Sequence, residues 1–213
     1  METKKITALK QQKRKTTRVN VYLDGEFAFG VEKVIAAKLA IGQELQAQQL
    51  AELQDSENLE SAYQKSLHYI SFRPRSINET RKHFSRKGML PEILDAVIER
   101  LLERNYLNDS EFAQNWVENR VAFKPRSRFA LKGELFQKGI DNQIIEEVLA
   151  DLDDSKLAQD AAQKRVHRLE ALEWNEFRKK LMGYLGRRGF PYSICDEVSR
   201  NLWGQIHNET EHA

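Results

Sequence analysis

Lysines and arginines recur in three short blocks of this 213-residue chain, and the chemistry they offer is anion contact. From Ser71 to Gly88 six bases (Arg73, Arg75, Arg81, Lys82, Arg86, Lys87) stand against one acid, Glu79. From Arg120 to Lys138 six more (Arg120, Lys124, Arg126, Arg128, Lys132, Lys138) again meet one acid, Glu134. From Arg178 to Arg188 there are five (Arg178, Lys179, Lys180, Arg187, Arg188) and no acid. The intervening segments lean the other way: Asp141 to Asp154 carries six acids and no base. Blocks of one sign build local fields that an even mixture of charges would cancel. Acidic helices paired with neighbouring basic ones account for part of this pattern. They do not account for all of it, because exposed pairs contribute only about 0–1 kcal/mol and would not need three copies. The fuller account is a periodic basic surface that faces a periodic polyanion or an acidic protein lattice.

Other chemistry finds no support. No GxxxxGK is present to cradle a nucleotide phosphate. His68, His83, His167, His207 and His212 form no HExxH or finger spacing, and His207 and His212 read as part of a frayed tail rather than a metal site. Cys195 stands between Ile194 and Asp196 in a helical pattern, with no histidine placed to lower its pKa, and reads as a plain helix residue. It also excludes an internal disulfide, being the only cysteine. Trp116 and Trp203 read as core; Trp174, between Glu173 and Glu176, could be core or a stacking platform. The chain is therefore expected to have no catalytic, cofactor-binding or metal residues, and to be no enzyme.

What must position the basic blocks is a set of helices. Hydrophobic residues make up 40% of the chain and charged ones 31%, with a mean hydropathy of −0.66. No run approaches the roughly 20 apolar residues of a membrane helix. The N-terminal METKKITALKQQKRK lacks an apolar signal core, so a cytoplasmic monomer without membrane contact is expected. Thr16 to Val31 reads TTRVNVYLDGEFAFGV. Val19, Val21 and Leu23 alternate before Asp24-Gly25, and Phe27, Phe29 and Val31 alternate after it. Asp-Gly supplies the positive φ angles of a two-residue I′ turn, so this is a hairpin. Ile6 to Leu9 reads as a third strand. The spacing of Val31, Val34, Ile35 and Leu39 predicts a helix that stops near Gly42. The hairpin is either a structural cap or a basic arm for a partner, since residues 1–20 carry seven bases against Glu2 alone.

The rest repeats. Residues 73–101 laid over 124–152 give eight identities: Pro74/Pro125, Arg75/Arg126, Ser76/Ser127, Lys87/Lys138, Gly88/Gly139, Ile93/Ile144, Val97/Val148 and Leu101/Leu152. A weaker third copy aligns Arg188-Gly189 with Lys138-Gly139, and Ile194, Val198 and Leu202 with Ile144, Val148 and Leu152. A period of about fifty residues marks a tandem array. Each unit reads as three helices. In the first, Leu59, Tyr63, Leu67 and Ile70 form a stripe that Pro74 ends. Ser76 and Glu79 then make a capping box, with Ile77, Thr80 and Phe84 inside, Leu131 and Leu135 being their counterparts. Gly88 sits where a left-handed residue closes the helix. Ile93 to Leu101 form the third helix. The fold class is mainly α: three tandem three-helix repeats with a small N-terminal β-hairpin extension. Boundaries fall at 1–45 (hairpin and short helix), 46–109 (linker helix and repeat 1), 110–155 (repeat 2), 156–205 (repeat 3) and 206–213 (disordered tail).

In order, ISFRPRS, RKG, an aliphatic third helix, NYLNDSEFAQNWVENRV, KPRS, KGELFQKGI and LGRRGF resemble the RecX regulatory proteins of bacteria. The likeness covers about residues 55–204, and VNVYLDGEFAFGV resembles the extension of the longer members. The resemblance implies an elongated curved array. It also implies binding in the groove of the RecA–DNA filament, with effects on strand exchange, ATP hydrolysis and coprotease activity in DNA repair and the SOS response, usually as an inhibitor. Single- and double-stranded DNA would then be weak, salt-sensitive partners. The third copy departs from the pattern by lacking Pro-Arg-Ser. The alternative is a tandem-repeat DNA-binding protein that acts without RecA, on the plan of Myb-type repeats. Such units read DNA with a third helix, and here the third helix is acidic.

Overall fold

Asp24 and Gly25 both adopt positive φ (52° and 93°), as the I′ turn requires, and they join two antiparallel strands. The computed structural model describes residues 3–13 and 16–210, without the side chains of 208–210. Arg14 and Lys15 of the basic N-terminal run, His212 and the last three residues of the expected tail lie outside the described residues.

The hairpin is part of a larger sheet. Strands β1 (Lys4–Gln11), β2 (Arg18–Leu23), β3 (Glu26–Glu32) and β4 (Glu44–Leu45) form one sheet in the order β3-β2-β1-β4. Ile6, Val21, Val31 and Leu45 are its buried centre. Phe27 departs from the expected alternation and is exposed. A register shift between Val21 and Tyr22 sets Phe27 opposite Tyr22, and the extra residue in β3 flips the side-chain phase. The helix expected from Val31 to Leu39 is only α1 (Lys33–Ala36), with Val34 exposed. The chain then turns through Gly42, at φ 92°, whose N–H donates to the Ile6 carbonyl (2.7 Å).

The helices follow in threes: α2 (Ala47–Ser71), α3 (Ile77–Arg86) and α4 (Pro91–Glu103); α5 (Asp109–Phe123), α6 (Arg128–Gln137) and α7 (Asn142–Leu149); α8 (Asp154–Val166), α9 (Trp174–Gly186) and α10 (Tyr192–Thr210). The last runs well into the stretch expected to be tail. Two compact units form among the described residues. One comprises residues up to Arg75 with Thr80–Leu107; the other comprises Ser76–Glu79 with residues from Asn108 onward.

In the first unit, Arg18 of β2 holds Glu32 (3.0 Å) and Glu57 of α2 (2.7 Å), while Glu57 also accepts the Glu32 N–H (2.6 Å). The first repeat buries Tyr63, Phe84, Leu94, Val97, Ile98 and Leu101. In the second unit, Phe112, Val117, Leu131, Leu135, Ile140, Ile145 and Leu149 form the core of the second repeat. Phe177, Leu181, Leu185, Phe190, Val198 and Leu202 pack with four residues of α8 (Leu157, Ala158, Ala161 and Ala162) in the third. Each such stripe is the i, i+3/i+4 face of an amphipathic helix.

Candidate anion-contact surface

The basic helices start from built caps. Ser76 and Ser127 each accept the N–H three residues on, from Glu79 and Ala130, both at 3.1 Å. A second acceptor comes from the next repeat. Asp109 takes the Ile77 N–H (2.9 Å) and Asp154 the Arg128 N–H (2.7 Å), so the first residues of α5 and α8 satisfy the first amides of α3 and α6. These acids were not among the residues singled out above. Their signal is Asn108-Asp109-Ser110 against Asp153-Asp154-Ser155, offset by 45 rather than 51 and so outside the repeat register. Burial raises the Asp109 pKa, and its bond from the Ile77 amide only partly opposes that. The third repeat lacks Pro-Arg-Ser, and Glu173, at the N-cap of its α9, makes no side-chain cap bond.

The basic-Gly turns close each second helix, and in the second and third repeats they seat it on the repeat before. Gly88, Gly139 and Gly189 have φ of 76°, 76° and 89°. The Ser76 hydroxyl donates to the Lys138 carbonyl (2.7 Å), and Lys138 Nζ pairs with Glu79 (2.7 Å). One repeat on, the Ser127 N–H donates to the Arg188 carbonyl (3.1 Å). Gly139 and Gly189 approach their neighbours so closely that a Cβ would stand 2.5 Å from Asn78 Cβ and 2.8 Å from Ala130 Cβ; at Gly88 nothing lies within 4 Å.

Of the seventeen bases in the three blocks, all but Arg120, Lys124 and Lys180 are the expected filament or DNA contacts, and these fourteen divide by partner. Arg81 pairs with Asp95, Lys132 with Glu146 and Arg178 with Asp196 (2.8 Å). Each pair joins the second helix of a repeat to its third, and Asp95, Glu146 and Asp196 occupy equivalent repeat positions. The pairing of basic with acidic helices is thus real in all three copies. Lys138 and Arg126 are also committed, to Glu79 and to Glu134 (3.0 Å). Arg75 lies on the Tyr69 ring (4.3 Å) and Arg188 on the Tyr184 ring (3.8 Å). Arg73 is exposed and donates to the Pro74 carbonyl (2.9 Å). Arg128 and Arg187 are exposed. Lys82, Arg86, Lys87 and Lys179 are exposed and make no ion pair among the described residues.

Two positive centres result, one in each unit. In the first, Arg75 and Lys87 flank His83, which stacks on Tyr69 (3.8 Å between centroids); burial, then these two charges, lower its pKa. In the second, burial pulls the Arg188 pKa down, Tyr184 opposes this, and Arg126, Arg187 and Arg165 add to the depression. Arg165, on α8, was missed, because its helix carries no block of like charge. It lines a groove of about 360 Å3 with Lys179, Lys180, Tyr184, Arg187 and Glu176. Such clusters hold anions by field and by directed N–H donors.

The remaining sequence candidates are structural. Cys195 is 2% exposed, its thiol faces the Phe190 carbonyl, and burial pushes its pKa up. Trp116 donates to Glu134 (2.8 Å). Trp174 is partly buried against Phe177 and Trp203. Among the described residues no group of three His, Cys, Asp or Glu could hold a metal ion, and no helix is long and apolar enough to cross a membrane.

Four family models match in chain order: the regulatory protein RecX N-terminal domain at 4–46, and the first, second and third three-helix domains of RecX at 62–101, 108–149 and 153–198. The chain belongs to the RecX family. It is 31% identical over 203 residues to the regulatory protein RecX of Lactobacillus johnsonii, covering 92% of this chain and 74% of that one. It is 28% identical to that of Bacillus subtilis, covering 97% and 80%. Its fold matches a crystal structure of regulatory protein RecX with a TM-score of 0.72 at 24% identity, over 92% of this chain and 99% of that one. The structure of RecX from Lactobacillus salivarius matches at 0.58, 22% identity, over 69% and 97%. RecX membership accounts for the three-helix repeats, and its N-terminal domain corresponds to the four-stranded sheet.

Proposed function

We propose that this RecX-family chain inhibits the RecA recombinase by binding in the groove of the RecA–DNA filament. In this reading it restrains strand exchange, ATP hydrolysis and coprotease activity in DNA repair and the SOS response. It acts as a cytoplasmic monomer and not as an enzyme. The observation that carries the reading is the recurrence of exposed cations on RecX three-helix repeats, since a periodic set of charges matches a periodic polyanion. Lys82, Arg86, Lys87, Lys179 and Arg187 are the proposed contacts, with Arg73 and Arg128 beside them; the ion-paired bases hold the helices that present them. Purified protein titrated into RecA on single-stranded DNA should slow both ATP hydrolysis and strand exchange. If saturating protein leaves both rates unchanged, the reading fails. Stimulation would keep the partner and reverse the sign.

A further inference from the structure

Phe72 and Phe123 stand at equivalent positions of the first two repeats, in Phe-Arg-Pro-Arg-Ser and Phe-Lys-Pro-Arg-Ser. Both are strongly exposed, 72% and 70%. A large apolar side chain in water loses the stabilisation that burial would give it, and here the same residue is left out twice at one repeat position. Each stands at the C-terminal end of a first helix and precedes a cation, Arg73 or Lys124. No Asp or Glu occurs from 61 to 78 or from 119 to 133.

In the first unit Phe72 lines a groove of about 810 Å3 between α2 and the α3–α4 turn. Its other rings are His68, Tyr69, His83 and Phe84, its cations Lys65 and Lys87, and no carboxylate lines it. His68 meets Phe72 at a 4.8 Å centroid separation and 79° between planes.

We propose that Phe72 and Phe123 are stacking platforms for unpaired bases of single-stranded DNA, with Arg73 and Lys124 on the adjoining phosphates. The ligand chemistry follows from the groove: planar rings suit planar bases, and acid-free surroundings suit a phosphodiester backbone. An exposed aromatic beside a cation, repeated along the chain, suits a polymer whose unit is one π-face and one charge. This deepens the proposed function, resting on its reading that DNA is a partner, and assigns to two phenylalanines a contact that the basic residues alone do not provide.

The binding test uses the full chain without RecA, and RecA ATP hydrolysis is followed separately with each variant. Wild type, Phe72→Ala, Phe123→Ala and the double variant are titrated against an oligo(dT) strand, an abasic deoxyribose-phosphate strand of equal length, and a duplex. Each substitution should weaken oligo(dT) binding about fivefold or more, and Phe72→Trp should preserve it with its fluorescence quenched on binding. Affinity for the abasic strand and the duplex, and the salt dependence, should not move. Both side chains are exposed, so melting should match wild type; a variant that melts early is replaced by the leucine form, which keeps the apolar volume and lacks the ring. Unchanged oligo(dT) affinity in the double variant, or equal loss on the abasic strand, overturns the proposal. So does intact oligo(dT) binding with lost RecA inhibition, which would make these residues a protein-docking element. Ring-dependent oligo(dT) binding by a protein that leaves RecA unaffected would sustain this inference and sink the RecA reading alone.

Discussion

Gly88 and Gly139 share a φ of 76° but differ in what surrounds them, which separates two physical costs. Alanine at Gly88 meets open space and carries only the left-handed penalty, roughly 1 kcal/mol. Alanine at Gly139 would place Cβ 2.0 Å from Asn78 Nδ2, 2.4 Å from Cγ and 2.5 Å from Cβ. The amide can swing away, but the Asn78 Cβ moves only with the first turn of α3. That turn is pinned to the same loop by the Ser76 hydroxyl on the Lys138 carbonyl and by Glu79 on Lys138 Nζ, both at 2.7 Å. Overpacking of this kind adds about 1–3 kcal/mol. Gly139→Ala should therefore cost roughly 2–4 kcal/mol against about 1 for Gly88→Ala. In thermal melting, each kcal/mol moves a chain of this size by about 2–4 °C. Asn78→Ala removes the amide and should recover part of the Gly139→Ala loss and none of the Gly88→Ala loss, a coupling that urea denaturation of the four variants measures. Equal losses for the two glycines would refute the close approach at Gly139, even if both turns are left-handed.

Gln at Lys82, Arg86 and Lys87 together should leave melting unchanged and flatten the log–log salt dependence of filament association by about one unit per lost phosphate contact. Gln at Arg81 and Lys132 should lower stability by at most about 1 kcal/mol per pair and leave that slope alone, because their charges are spent on Asp95 and Glu146. Asp154→Ala should cost about 1 kcal/mol by orphaning the Arg128 amide, and Asp154→Asn should restore most of it. Asp109→Asn should match or exceed wild type at neutral pH: the folded-state pKa is raised, so the stability tied to this group is present at low pH and lost as pH rises through that value. Glu60 should behave in the opposite sense. Burial raises its pKa, but Gln64 and Arg100 (2.7 Å) outweigh that and hold it low, so its contribution is full above about pH 4.3 and lost below. A Glu60→Gln variant that keeps the wild-type acid limb in pH-dependent melting would contradict this.

The repeats were legible in the sequence because each copy needs the same left-handed closure and the same apolar stripe at fixed positions, and the first two also share a serine cap. Asp24-Gly25 announced its turn for a similar local reason. What escaped the sequence depends on partners brought in by packing. Strand β4 is two residues long, has no alternation to read, and exists because the β1 edge accepts it. Phe27 kept its period-two spacing on paper, and a bulge visible only in the pairing moved it to the other face. Arg81 and Lys132 read as part of the basic surface, but their partners Asp95 and Glu146 lie fourteen residues on, across a turn whose angle the sequence does not state. Arg165 enters the positive centre of the third repeat from a helix of mixed charge. Phe72 and Phe123 precede closely similar Arg/Lys-Pro-Arg-Ser runs, yet only their exposure in the fold separates them from core aromatics.

The way Lys138-Gly139 and Arg188-Gly189 seat on the helix starts before them gives the array a direction. Each module is finished by its successor: the later turn supplies the carbonyl, or fills the hollow, that the earlier helix start leaves open. Damage should thus spread towards the N-terminus, one module at a time. Loosening α9 and its closing turn frees the Ser127 amide and bares Ala130, so the second module frays at its basic helix. Frayed in its turn, the second module would withdraw Lys138 from Ser76 and Glu79. Stability in such a chain is a nearest-neighbour quantity with a sense of travel, and a nick near the third module is felt first at residues more than fifty positions away.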